Sequence, residues 1–226
     1  MSMSAVSQSA GKPYPEPFLH PPQSMVGIPY YDEEFALAQS KAHAKTVLSL
    51  GPKLQRVAEQ AGLCLASDNP IWYWIVEEDT QRALYPDLAI THLLEIDRLT
   101  ASDLCLAVEV VSRDDARKER KDSQTMRQRN EYHGVPEFLL VYPELDDLRV
   151  LRWFRYELAR GGYRELTLVP GHRHESQAIA GLALEIMPQQ EWRDGQKLRV
   201  YYQGRELRDA AVEEQARELA DQRAEQ

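Results

Sequence analysis

The stretch from residue 104 to residue 142 constrains this chain more than any other. Residues 104–111 are apolar and strand-prone, broken only by Glu109, and residues 138–142 form a second, wholly apolar run. Between them, residues 114–133 are charged and helix-compatible and end at Gly134. Short apolar runs of this kind read as strands buried on both faces. A strand, a helix and a strand in that order make a crossover that places the two strands parallel in one sheet. The chain is therefore predicted to be α/β.

The remaining periodicities extend that sheet. Residues 71–76 are aromatic and β-branched, and residues 88–91 make a short strand after Pro86-Asp87. The short connection from Asp87 to Glu109 allows those two strands to pair antiparallel. Segments 148–158, 163–169, 182–187 and 198–202 alternate like meander strands, with Gly161-Gly162 as a hairpin signal. Ahead of the sheet, Asp32 reads as an N-cap with Glu33 and Glu34 in the first turn. Helical spacing runs from Phe35 to Ala61, is interrupted at Gly51-Pro52, and closes at Gly62. This predicts one broken helix or two consecutive helices over 33–61. With 226 residues and 43% hydrophobic content, the chain suffices for one ordinary domain. Five prolines in residues 1–28 mark a flexible arm, 29–204 the domain, and the Glu/Arg/Ala-rich residues 205–226 a charged helix.

Several function classes are excluded. No apolar run approaches a membrane span, and residues 1–25 lack the apolar core of a signal peptide. Cys64 and Cys105 sit in apolar contexts without paired spacing and read as buried thiols of a reducing, cytoplasmic setting. No phosphate loop, dinucleotide fingerprint, nucleophile elbow or H-E-x-x-H occurs. The His172-Arg173-His174 spacing follows Pro170-Gly171 and reads as a surface loop. A net charge of −9 disfavours general nucleic-acid binding, although a local patch or a bound metal can reverse that.

Glu109 stands out because a carboxylate in the middle of an apolar strand is costly to bury unless it is paired or binds a cation. By alternation, Leu104, Leu106, Val108 and Val110 point one way, and Cys105, Ala107, Glu109 and Val111 the other. On residues 88–91 the same logic groups Asp87 with Ala89 and Thr91. Two carboxylates over small residues on neighbouring strands can hold Mg²⁺ or Mn²⁺. The alternative has Asp87 capping a turn after Pro86 and Glu109 pairing with an arginine of the next helix, and the residues by themselves leave both open. Residues 113–129 carry seven basic against four acidic side chains. That is either a solvated helix face or a cationic helix able to hold phosphate oxygens. His43, between Ala42 and Ala44, reads as packed at the helix edge, with a place lining the site as the alternative.

Pro86-Asp87, then Val108-Glu109-Val110-Val111-Ser112, then a charged helix, then Gly134-Val135-Pro136-Glu137-Phe138 resembles the Uma-type putative restriction endonuclease family of the PD-(D/E)XK superfamily, over residues 35–205. The resemblance implies a restriction-endonuclease-like mixed sheet flanked by helices, with a meander and a C-terminal helical tail. It also implies an Mg²⁺- or Mn²⁺-dependent hydrolase that cleaves DNA, with Asp87 and Glu109 as metal ligands. The pattern's lysine, two residues after the glutamate, falls on Val111. The family's other lysine position, eight residues before the Gly-Val pair, falls on Met126. Lys121 and Arg127 are the nearest cations, and Lys121 serves only if the helix register departs from a simple count. Met126→Lys is then expected to raise activity. The competing expectation is a nuclease-fold protein without catalysis that binds nucleic acid or protein. A homodimer through the C-terminal helix is a further expectation.

Overall fold

Residues 40–67, 69–92, 98–111 and 119–209 are described by the structure, a computed structural model. Helix α1, Lys41–Ala61, is capped by Ser40, whose hydroxyl accepts from His43 N at 3.0 Å, and it ends at Gly62 with φ of 68°. It runs unbroken through Gly51-Pro52, where the pattern predicts an interruption. Leu50, Leu54, Val57 and Ala58 are all buried on the same core, and that packing outweighs the hydrogen bond lost at Pro52. Asp32 and the turn expected after it lie outside the described residues, as does the arm 1–28.

Five strands precede the crossover: β1 Cys64–Ser67, β2 Ile71–Ile75, β3 Thr80–Leu84, β4 Leu88–Thr91 and β5 Leu99–Thr100. The crossover is β6 Leu104–Val110, a π-helical stretch Lys121–Met126, helix α2 Arg127–Tyr132 and β7 Glu137–Val141. Then come β8 Leu151–Glu157, β9 Gly162–Glu165, β10 Arg173–Glu175, β11 Leu182–Ile186, β12 Leu198–Tyr202 and β13 Arg205–Leu207. The principal sheet has the order β1-β4-β6-β7-β8-β9. Within it β6 and β7 pair parallel and the other neighbours antiparallel, as the crossover and the 87–109 connection require.

Two cores sandwich this sheet. On one face α1 and the antiparallel sheet β10-β11-β12-β13 pack on Leu88, Leu106, Val108, Val110, Leu139 and Trp153. On the other, Ala107, Val111, Phe138 and Leu140 meet Met126 and the small sheet β3-β2-β5 through Tyr73 and Ile75. The strict alternation expected on β6 fails at its start. Ile90 pairs with Leu106 but Thr91 with Leu104, so the register shifts across Cys105. Cys105 therefore joins the first core and Leu104 the second, and the expected alternation holds only from Leu106 onward.

Two further differences concern the C-terminal half. Residues 205–207 are strand β13 and not the start of a helical tail. Gln203 and Gly204 both have positive φ, 50° and 79°, which makes the tight turn of a hairpin, and Leu207 enters the first core. Residues 210–226 lie outside the described residues. Arg173 and His174 belong to strand β10 and not to a loop, and His174 Nε2 stands 2.9 Å from Val169 N. Lys197, buried just before β12, donates to the carbonyls of Tyr142, Glu144, Asp147 and Arg149 at 2.7–3.0 Å. Arg149 in turn reaches Glu119, at the start of the helical segment, at 2.6 Å.

Candidate active site

Asp87 precedes β4, and Leu88 pairs with Val108. Extending that register by one residue sets Asp87 opposite Glu109. Alternation from Ala89 and from Ala107 and Val111 puts both carboxylates on the face of the second core. Beyond the end of β4, Asp87 Oδ2 takes the place of a backbone acceptor and receives Val110 N–H at 2.7 Å. Its Oδ1 lies 3.1 Å from Nε2 of His43, which is buried in the first turn of α1. Both oxygens of Asp87 are thus fixed by donors, and each retains a lone pair for a further partner.

Glu109 is only 4% exposed, and its Oε1 has no hydrogen-bond partner among the described residues. Burial pushes its carboxyl well above the usual carboxylate range, and the nearby charges of Asp87 and Asp122 push the same way. The ammonium of Lys121 and the backbone amide of Asp87 oppose them. An orphaned oxygen on a buried, like-charge-crowded carboxylate is what a cation resolves, so the residues present fit a divalent metal. Mg²⁺ commonly takes only one or two carboxylates, with waters and substrate phosphates completing its shell. No three His, Cys, Asp or Glu side chains among the described residues form a group that could hold a metal ion.

The two candidate cations lie on different parts of the helical segment, Lys121 on the π-helical stretch and Arg127 on α2. In an α-helix a five-residue step rotates the side chain about 500°, leaving Lys121 about 140° away from Met126. The stretch Lys121–Met126 is instead π-helical, with hydrogen bonds from i to i+5, so this step closes about one turn. Lys121 is thereby brought toward the side of Met126, and its charge acts on Glu109. This is the register departure that Lys121 requires. Arg127 pairs with Glu131 at 3.4 Å and sits 5.6 Å from the ring centre of Phe154. Val111 and Met126, at the two expected lysine positions, are both packed in the second core. Met126→Lys would therefore bury a charge in that core, contrary to the expectation of a simple gain.

Asp122 had no sequence signal pointing to the site, and His43 had a place there only as the alternative to packing at the helix edge. Asp122 reads as one more acid in a charged helix. His43 has its partner 44 residues away, a relation no periodicity encodes.

A parallel crossover inside a mixed, two-sided sheet, with paired carboxylates at the end of its central strands, defines an α/β restriction-endonuclease-like fold. The family model Uma2, described as "Putative restriction endonuclease", matches residues 16–187, and the chain belongs to that family. The match begins earlier than the resemblance read from the motifs and ends before β12 and β13. No curated protein matches the chain. No helix among the described residues is long and apolar enough to cross a membrane.

Proposed function

We propose that the protein is a metal-dependent endonuclease that hydrolyses phosphodiester bonds of DNA, with Asp87 and Glu109 holding Mg²⁺ or Mn²⁺. The observation that carries this reading is the buried oxygen of Glu109, without a partner among the described residues, beside a carboxylate already fixed by His43 and Val110 N–H. When bound, the divalent ion would supply an activated water and charge neutralisation at the phosphate. Val110 N–H and His43 hold Asp87 in one orientation, so little reorganisation is needed during reaction. Lys121 contributes a mobile point charge to a non-bridging phosphate oxygen, a role open to an ammonium three donors wide. Leu140 and Ala107 close the floor under Glu109 and keep bulk water from its carboxyl.

The test is cleavage of plasmid, linear and single-stranded DNA by the purified full chain with Mg²⁺, Mn²⁺ or EDTA. Cleavage that needs the metal and disappears in Asp87→Asn and Glu109→Gln is the expected result. A second reading, a nuclease-fold protein that binds nucleic acid or protein without cutting, is favoured by the apolar residues at both usual lysine positions. It replaces the first if no DNA form is cut under any metal condition.

A further inference from the structure

We propose that the outward face of the small sheet β3-β2-β5 is a stacking platform for unpaired bases, so that the nucleic acid taken by this site is single-stranded where it meets Asp87. The inference rests on the nuclease reading for its scissile phosphate and stands on separate observations for its base contacts. Strand β2 reads Ile-Trp-Tyr-Trp-Ile. Ile71, Tyr73 and Ile75 are fully buried in the second core, whereas Trp72 and Trp74 take the opposite face, partly exposed, and pack on neither core. Outward sheet faces are normally polar, so two tryptophans at i and i+2 there need an explanation.

The neighbours leave the rings partly exposed and add charge. Across the ladder Trp72 faces Ala83 and Trp74 faces Gln81, neither large enough to cover an indole. Arg98 covers one face of Trp72, its Cζ 3.7 Å from the ring centre, held there by a 2.9 Å bond from Nη2 to Gln81 Oε1. A guanidinium has five donors, so most of them remain for phosphate oxygens. Tyr85 extends the row. It is 52% exposed and lies two residues beyond the Trp72–Ala83 pair, a diagonal of about 7–8 Å. It also stands two residues before Asp87, at most about 7 Å along an extended chain. The row therefore runs from Trp74 through Trp72 and Tyr85 to the carboxylates. Bases in a duplex are already stacked on each other and offer no free face to such a row, whereas unpaired bases do.

The experiment measures binding of the full chain to a labelled oligothymidine strand and to a duplex of the same length, without divalent metal, by fluorescence anisotropy. The single strand binds more tightly and quenches tryptophan emission, and the duplex does neither. Tyr85→Ala and Trp74→Ala each weaken oligothymidine binding at least about fivefold, the low end for one stacked base. Both leave duplex binding and the thermal midpoint unchanged, and Tyr85→Phe retains the wild-type affinity. Equal or tighter duplex binding overturns the platform, as do alanine variants that bind oligothymidine normally or that change oligomeric state instead. Cleavage with Mn²⁺ is scored separately. Single-strand binding without any cleavage removes the nuclease reading and keeps the platform, while duplex cleavage untouched by Tyr85→Ala does the reverse.

Discussion

Glu109 illustrates a stability cost held at a site. Its carboxyl is buried beside Asp87 and Asp122 with one oxygen unpartnered, so removing the ionisable group should relieve the fold. Glu109→Gln is expected to raise metal-free unfolding free energy by about 1–2 kcal/mol while abolishing cleavage. Urea melts with and without Mn²⁺ check both halves, because only the wild type should gain stability from the metal. His133 gives the pH counterpart in a place remote from the carboxylates. Burial, and then the charge of Arg129, push its imidazole down to about 3, while Nε2 accepts Trp74 N–H at 3.0 Å. A histidine depressed in the fold contributes stability that is whole above its unfolded value near 6.5 and is lost as pH falls from there toward 3. Against His133→Asn, the wild type should lose up to about 1.4 kcal/mol more per pH unit across that window, as read by unfolding at a series of pH values. Asp87 and Glu109 were legible as candidates because a charge inside an apolar run violates the cost of burial. His43 was not placed with them, since only the folded chain brings α1 to the end of β4.

At the scale of elements, the π turn is the feature with consequences for chemistry. The choice between Lys121 and Arg127 depended on rotation about the helix axis, which residue counting assumes to be regular. Deleting Ser123 should convert the turn to α-helix and leave Lys121 four α-helical steps, about 400°, from Met126, so that it keeps its direction to within about 40°. In the native segment Lys121→Ala is expected to slow cleavage at least tenfold, about 1.4 kcal/mol of barrier. In the Ser123 deletion the same substitution should cost about as much, an additivity that single-turnover rates would reveal. Met126→Lys should unfold at lower denaturant by several kcal/mol, because it places an unpaired ammonium among Val111, Leu140 and Tyr142. The crossover and the central strands were readable because continuous apolar runs have one outcome. The bulge at Cys105 and the continuity of α1 through Pro52 were not, since each is decided by contacts with other elements. Short β1, β3 and β13 also escaped, being too brief to show a period.

For the whole molecule, the boundary of the fold lies later than the composition shift at residue 204. Leu207 is buried in the first core, and Asp209 pairs with Lys53 of α1 at 2.9 Å. Removing 210–226 is expected to leave the thermal midpoint within a degree or two, whereas removing 206–226 should destabilise by about 2–4 kcal/mol through loss of Leu207 and the β13 ladder. Circular-dichroism melts of the two truncated chains distinguish these outcomes. The acidic, arginine-spaced composition of 205–226 concealed β13, because three residues of strand carry too little pattern to stand out against it.

Lys197 carries a last consequence, one of timing. Its three protons are shared among four carbonyls of the 142–149 loop, a task that elsewhere falls to a bound ion. Arg149 of that loop holds Glu119, two residues from Lys121. A nascent chain that has emerged only to Met187 already has every carboxylate of the site. It does not yet have the internal cation that fixes the flank carrying Lys121. The protein therefore completes its candidate active site from its C-terminal end, and only after residue 197 has left the ribosome.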